Sequence, residues 1–259
     1  MYRRVRQRTC YVGPMFEIYL VFGRWFGVAL LATMTCLPAH AAQKFEDSMA
    51  QRTLACSVCH GAQGRAAPDG YYPRIAGKPA GYLLNQLRNF RDGRRHYELM
   101  VGLVDPLSDA YLREIAAYFS ALELPYPPPQ PVQAPAAQQQ RGEALVMQGD
   151  PARRLPACVQ CHGRAMTGAA PNVPGLLGLP RDYLNAQLGA WKTGQRRAHA
   201  PDCMAHIARQ LNPDEVAAIT AWLAAQPLPA DPRAPATLPE RTVGAMACGS
   251  APELGGTAP

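Results

Sequence analysis

The chain has 259 residues, enough for two small domains, and its 48% hydrophobic and 17% charged residues are typical of a globular protein. The formal net charge is +7, but residues 1–41 hold five of the 26 basic and one of the 19 acidic residues. Residues 42–259 therefore keep 21 basic and 18 acidic residues, a charge of only +3. With no basic stripe interleaved with aromatic residues, this balance argues against nucleic-acid binding.

Residues 1–41 have the pattern of a secretory signal peptide. A basic start is followed by an apolar run, Phe26 to Leu37, and by the small-x-small triplet Ala39-His40-Ala41. The pattern predicts export and cleavage before Ala42. The alternative is an uncleaved membrane anchor over residues 16–37, in which the charges of Glu17 and Arg24 would be costly.

An internal repeat organises the rest of the chain. Residues 55–61 (ACSVCHG) recur as residues 157–163 (ACVQCHG), 102 positions later, and the similarity continues at an offset of 101. The continuing matches include Gly77 with Gly178, Tyr82 with Tyr183, Gln86 with Gln187, and Phe90 with Trp191. The repeat predicts two domains of one fold, at residues 42–124 and 142–228. A proline- and glutamine-rich linker, 125–141, joins them, and an extended tail follows at 229–259.

Each repeat is predicted to be helical, with no strand pattern of any length. Apolar residues at helical spacing predict helices at 81–91 and 181–192, and shorter first helices at 44–55 and 142–149. The last helix of each repeat begins after a capping residue, Ser108 or Asn212, and runs to about Leu122 or Ala225. The predicted fold class is therefore all-α.

The repeated segment contains the motif C-x-x-C-H, in which two thiols attach covalently to haem and the histidine binds the iron. A dithiol redox site would need a preceding strand, and a zinc site would need a fourth ligand nearby; neither repeat offers these. We therefore predict two covalently bound haem c groups, each with its iron. The predicted haem-binding residues are Cys56, Cys59, His60, Cys158, Cys161 and His162.

A histidine ligand leaves the sixth coordination position of the iron open. Met100 lies seven residues before Leu107, and Met204 lies seven residues before Leu211, each ahead of the last helix of its repeat. A thioether opposite histidine favours ferrous iron and raises the potential, so we predict these methionines as ligands. The alternatives are histidines that have no counterpart in the other repeat: His96, His199 and His206.

Further residues are candidates to support the two haems. Pro73 and Pro174 follow the ligand histidines by thirteen and twelve residues, so a loop can offer a backbone carbonyl to the free ring N–H of each imidazole. Candidate donors to the haem propionates are Arg94, Arg95, Arg196, Arg197, Tyr82, Tyr183 and Trp191.

Two cysteines remain outside the motifs and the leader. Cys203 directly precedes Met204, and Cys248 lies in the tail. In an exported protein an even leftover pair predicts a disulfide, with two free thiols as the alternative.

The quoted motifs together resemble the dihaem class I cytochromes c of the cytochrome c4 type over about residues 44–226. The resemblance implies two tandem class I cytochrome c domains, facing each other across a pseudo-twofold axis with their propionate edges close together, and His/Met ligation in both. It also implies a periplasmic carrier that is not itself an enzyme. The implied donor is a quinol-oxidising complex or a dehydrogenase, and the implied acceptor is a terminal oxidase.

Two other functions remain as alternatives. One is a haem-carrying subunit permanently bound to a periplasmic dehydrogenase; the other is a haem enzyme such as a peroxidase, which needs an open sixth site and is disfavoured by two matched methionines. We expect redox proteins as partners, no nucleic acid and a monomer, with association with the membrane surface as an alternative to a freely diffusing protein.

Overall fold

The structure is a computed structural model that describes residues 46–67, 69–131, 134–236 and 246–254. The predicted leader, residues 1–41, lies outside these ranges. In the ranges that are described, no helix combines the length and the apolar character needed to cross a membrane.

The first half of the described chain consists of helices around a small apolar core. They are α1 (Met49–Arg52), α2 (Leu54–His60), α3 (Ala80–Arg91), α4 (Glu98–Val104) and α5 (Asp109–Ala121). α5 begins where predicted, because the side chain of Ser108 accepts a hydrogen bond from the backbone N–H of Tyr111. α3 packs across α5, and Leu83, Ile115 and Phe119 are buried between them.

The second half repeats this arrangement with a longer first helix. It contains α6 (Ala136–Met147), α7 (Val159–His162), α8 (Arg181–Thr193), α9 (Cys203–Gln210) and α10 (Pro213–Ala225). Two-residue strands, β1 (Gly168–Ala169) and β2 (Val173–Pro174), pair antiparallel between α7 and α8. α10 starts with a capping box between Asn212 and Glu215, and both α6 and α8 pack against it.

The structure differs from the predicted elements at four places. The prediction of no strands is wrong at β1 and β2, whose two residues each are too few to give an alternating pattern. α6 begins at Ala136, inside the predicted linker, because alanine and glutamine favour helix and Leu145 and Val146 are buried against α10. The predicted helix 44–55 is divided at Thr53, whose hydroxyl donates to the carbonyl of Met49 over 2.7 Å. α4 and α9, which carry Met100 and Met204, had no predicted counterpart.

The close packing of α6 on α10 depends on Gly142. A Cβ at this position would run into the carbonyl oxygen of Ala218, which belongs to the backbone and cannot rotate away. We expect Gly142→Val to lower the free energy of unfolding by about 2–3 kcal/mol through overpacking, measured by denaturant unfolding of the haem-loaded protein. Gly189→Ala is the matched control: it lies in α8 with open space around it, and should raise stability by about 0.5–1 kcal/mol. Equal effects of the two changes would contradict this account of the α6–α10 packing.

The two halves meet through reciprocal backbone hydrogen bonds. Arg95 and Arg196 form an antiparallel bridge. The N–H of His96 donates to Gln195 over 2.9 Å, and the N–H of Arg197 donates to Arg94 over 2.7 Å. Contacts of each half with the matching segment of the other are the mark of a two-fold arrangement.

Residues 246–254 of the predicted tail are packed against the rest of the chain. Cys248 and Ala251 are buried against Ala169 and Val173. The amide of Asn85 in α3 donates to the carbonyl of Ser250 over 3.1 Å. Residues 246–254 therefore lie across the junction of the two halves.

Candidate functional site

The two C-x-x-C-H motifs lie on short helical turns, α2 and α7, as the residue spacing requires. None of their four cysteines is disulfide-bonded. Burial raises the pKa of the Cys56 thiol, and it raises the pKa of Cys158 to about 12. A dithiol redox site needs a thiol with a lowered pKa, so this environment argues against that alternative.

The histidine of each motif is buried and oriented by the predicted proline. Nδ1 of His60 is 2.8 Å from the carbonyl oxygen of Pro73, and Nδ1 of His162 is 2.8 Å from that of Pro174. A carbonyl only accepts, so Nδ1 carries the hydrogen in both rings, which leaves Nε2 free to bind a metal. Burial lowers the pKa of both imidazoles and favours the neutral, ligating form.

The first site has an aromatic neighbour that the sequence reasoning did not assign. The ring of Tyr72 is edge-on to His60 with centroids 6.2 Å apart, and its hydroxyl is 3.3 Å from that of Tyr97. The repeat alignment places Val173 at the matching position, so the two sites differ here.

The predicted sixth ligands both lie near the start of a helix. Met100 is half-buried in α4 and packs against Phe90, Val104 and Leu112. Met204 is half-buried in α9, next to Cys203. Among the alternative ligands, His96 and His206 are exposed, whereas His199 is half-buried, like the two methionines, in the loop before α9.

Cys203 and Cys248 form a disulfide with their Cα atoms 5.0 Å apart. The bond ties the tail to the first turn of α9, one residue before Met204. The tail is held a second time, since the N–H of Gly249 donates to the carbonyl of Pro201 over 2.9 Å.

Four of the seven candidate propionate donors come together where the halves meet. The Arg95 guanidinium donates to Gln187 over 2.7 Å and to the Tyr183 hydroxyl over 3.3 Å. Arg196 makes the reciprocal contacts with the first half, donating to Gln86 over 2.9 Å and to the Tyr82 hydroxyl over 3.4 Å. The sequence indicates Gln86 and Gln187 only as repeat matches, and their shared offset of 101 is the signal that relates them to the arginines.

The other candidates are placed differently. Arg94 forms a surface ion pair with Asp92, with 2.6 Å between nitrogen and oxygen. Arg197 is exposed, and its guanidinium donates to the carbonyl of Gly93. Trp191 lies beneath Arg196, whose guanidinium carbon is 3.8 Å from the ring centroid. The indole N–H of Trp191 is buried and has no acceptor among the described residues.

This cluster provides a test of whether the residues fit haem. Arg196 is 4% exposed, and burial together with the charge of Arg95 lowers its pKa. Neither arginine has a carboxylate partner among the described ion pairs. A guanidinium remains charged when it is buried, so the buried Arg196 with half-buried Arg95 beside it favours binding of an anion. Two haem propionates would supply this negative charge, and the indole N–H of Trp191 would gain an acceptor.

The described residues do not favour the zinc alternative. In the part of the chain that is described, no group of three or more histidine, cysteine, aspartate or glutamate side chains could hold a metal ion. Each motif histidine instead stands alone with one free ring nitrogen, as a haem ligand does.

Comparison with known proteins agrees with this geometry. The family model for cytochrome c matches residues 139–226. The chain is 34% identical over 199 residues to cytochrome c4 of Pseudomonas aeruginosa, covering 76% of this chain and 96% of the relative. The chain belongs to the cytochrome c4-type family of dihaem class I cytochromes c. It is therefore a dihaem electron-transfer protein with two covalently bound haem c groups in an all-α, duplicated fold.

Two further relatives bear on what this cytochrome does. Over 174 residues it is 41% identical to the thiosulfate dehydrogenase electron acceptor of Thiomonas intermedia (strain K12), covering 67% of this chain and 79% of the relative. The fold is also similar to the solved thiosulfate dehydrogenase (TsdBA) of Marichromatium purpuratum, with a TM-score of 0.58 and 36% identity. That match spans 67% of this chain and only 36% of the other.

A solved cytochrome c4 has the same architecture. Reduced recombinant cytochrome c4 from Pseudomonas stutzeri matches with a TM-score of 0.58 and 29% identity, over 68% of this chain and 95% of that one. The all-α fold and the duplication predicted from the repeat are confirmed.

Proposed function

We propose that this cytochrome is a periplasmic one-electron carrier that accepts electrons from a dehydrogenase acting on thiosulfate and passes them to a terminal oxidase. The observation that carries the proposal is the 41% identity to an electron acceptor of thiosulfate dehydrogenase over 79% of that relative. The carrier is not itself an enzyme in this proposal; the oxidation of the sulfur compound takes place on its partner.

Within this proposal, each domain holds its haem through one histidine and one methionine. The residues that would hold the two irons are His60 with Met100 and His162 with Met204, and the thioether links would come from Cys56, Cys59, Cys158 and Cys161. Haem, when bound, supplies an iron that accepts and releases one electron. The chain's own residues fix the imidazole tautomer through Pro73 and Pro174 and place Arg95 and Arg196 against the propionates.

The surface of the first domain supports a docking site for the dehydrogenase. Large apolar side chains that are exposed in the described residues all lie in this domain: Leu54, Val58, Tyr71, Leu99 and Leu103. Val58 stands between the two haem-binding cysteines of α2 and is 83% exposed. Its counterpart in the second repeat is the polar Gln160. Apolar side chains beside a haem edge are suited to the small, short-lived contacts of redox partners.

The proposal is tested by mixing the oxidised protein with thiosulfate and a purified thiosulfate dehydrogenase, and following haem absorbance. We expect both haems to be reduced only when substrate and enzyme are both present. Val58→Glu should slow this reduction about tenfold, equivalent to about 1.4 kcal/mol of docking free energy, because it places a charge in the apolar contact. Gln160→Glu, the matched control in the second domain, should leave the rate within about twofold. Absence of reduction by the complete mixture would overturn the proposed donor.

A second candidate is a haem subunit permanently bound to a dehydrogenase. It is favoured by the TsdBA match, in which a region similar to this chain is only part of a longer protein. Size-exclusion chromatography of protein isolated from its own host separates the two candidates. A monomeric carrier elutes alone, whereas a permanent subunit elutes with a larger partner.

A further inference from the structure

Lys78 is a buried lysine that joins the two domains. It lies in the loop before α3 and is only 4% exposed. Its ammonium nitrogen donates to the carbonyl of Gly175 in the second domain over 2.8 Å. The matching residue of the second repeat is Leu179, which is buried and apolar, so the contact has no symmetric counterpart.

The surroundings of Lys78 do not neutralise its charge. It forms no ion pair with any carboxylate among the described residues. The charged or titratable groups that act on it are Arg74, on its own loop, and His162, on α7 of the second domain. Burial, with a smaller contribution from Arg74, lowers the pKa of Lys78 from 10.5 to about 7. The lysine therefore changes charge near neutral pH.

Lys78 reaches the loop behind the second haem's histidine. Gly175 follows Pro174, the residue whose carbonyl accepts from His162, so the ammonium and the imidazole bind the carbonyls of two successive residues of this loop. The positive charge of Lys78 also lowers the pKa of His162, so its field extends to that ring although its hydrogen bond goes to Gly175.

The corresponding loop of the first domain has a cation of a different kind. Arg74 follows Pro73 directly, is 2% exposed, and donates to the carbonyls of Leu124 and Pro125. The ring of Tyr126 stacks against it at 3.9 Å. Guanidinium stays protonated in proteins, so the cation beside the first loop is permanent. The cation beside the second loop, Lys78, is titratable.

We propose that Lys78 is a positioning residue that couples reduction of the second haem to uptake of one proton by its own amine. The proposal rests on His162 as the ligand of that haem, but on no particular redox partner. One electron from the donor would lower the charge of the second haem by one unit. A proton from solvent then converts the neutral amine to ammonium, which offsets the added negative charge.

The sign of the coupling follows from electrostatics. Ammonium stabilises the reduced, less positive haem, so the potential of the second haem is higher when Lys78 is protonated. It falls as the pH rises through about 7 and levels off where the amine is neutral in both redox states. The first haem, next to the permanent charge of Arg74, lacks this contribution.

The test is a redox titration of the two-haem protein between about pH 5.5 and 9, a range that brackets the pKa of Lys78. All proteins in this titration carry Met100→His, which lowers the potential of the first haem. The reduction of the second haem can then be followed separately. Relative to the parent, Lys78→Met should lower the equilibrium constant for reducing the second haem about tenfold at acid pH, which is about 59 mV for one electron. It should also flatten the pH dependence, whereas Lys78→Arg should keep the higher potential at every pH.

Propionate titration is common to all three proteins and cancels in their comparison. A direct measurement needs no variant: reduction of the wild-type protein in weakly buffered solution at pH 7 should take up protons, and Lys78→Arg should take up fewer. Identical pH profiles for wild type and Lys78→Met, or equal proton uptake by wild type and Lys78→Arg, would overturn the proposal. Failure of thiosulfate dehydrogenase to reduce the protein would not affect either measurement, so the two proposals can fail separately.

Discussion

Replacement of Cys158 and Cys161 by serine is expected to leave a protein with one covalently bound haem in place of two. Both thiols are unpaired in the structure and lie on the helical turn that ends at His162. A thioether link requires a sulfur, and serine cannot supply one. The second domain therefore loses its covalently bound haem completely. This is the largest effect that we expect from any substitution in that domain.

The measurement is intact mass together with haem absorbance after expression in a host that matures c-type cytochromes. The variant should lose the mass of one porphyrin and about half of the haem absorbance per chain, since the two sites are predicted to be equivalent in attachment. The control is the pair Cys203→Ser and Cys248→Ser, which removes two cysteines without touching a motif and should retain both haems. If the variant with serine at 158 and 161 still carried two covalently bound haems, the assignment of Cys158 and Cys161 as haem-binding residues would be wrong.

The duplicated fold and the core of each site could be predicted from the sequence because their signals are local. The C-x-x-C-H spacing places two sulfurs and an imidazole on one helical turn, and the caps at Ser108 and Asn212 mark where α5 and α10 begin. These features depend on a few neighbouring residues. They are independent of how the domains pack against each other.

The elements that carry the methionines were harder to predict. α4 has only seven residues, and Tyr97 at its N-cap provides no side-chain hydrogen bond, so there is neither periodicity nor a cap to recognise. α9 did offer a signal, since Asp202 accepts from the N–H of Ala205. Its eight residues were too short for a clear apolar pattern.

The contacts between the domains could not be predicted, because they depend on tertiary structure. Arg95 and Arg196 were two of several candidate donors, and only the packing of the halves brings them to Gln187 and Gln86. Lys78 had no signal of its own, since a single lysine after a glycine is common in surface loops. Its burial arises only when the second domain covers it.

The sixth ligand of the second haem gives the other large effect that we expect. Met204 lies in the first turn of α9, held by the disulfide between Cys203 and Cys248 on one side and by the Asp202 cap on the other. Both constraints act on the backbone, so a substitution at 204 changes the ligand while leaving its position fixed. Met204→His would replace a soft thioether with an imidazole, which favours ferric iron.

We expect Met204→His to lower the potential of one haem by on the order of 0.1 V or more, within the roughly 0.8 V that axial ligands span. It should also halve the weak far-red absorption of methionine sulfur on ferric haem, since Met100 remains. Met147→Leu is the control: this methionine packs on the core of the second domain, and its replacement by a residue of similar volume should leave both potentials unchanged. If Met204→His left both potentials and the far-red band unchanged, another group would have to hold the iron of the second haem. His199 and His206 are the candidates nearest in sequence. Because the first domain keeps His60 and Met100, its unshifted wave serves as an internal reference in the same titration.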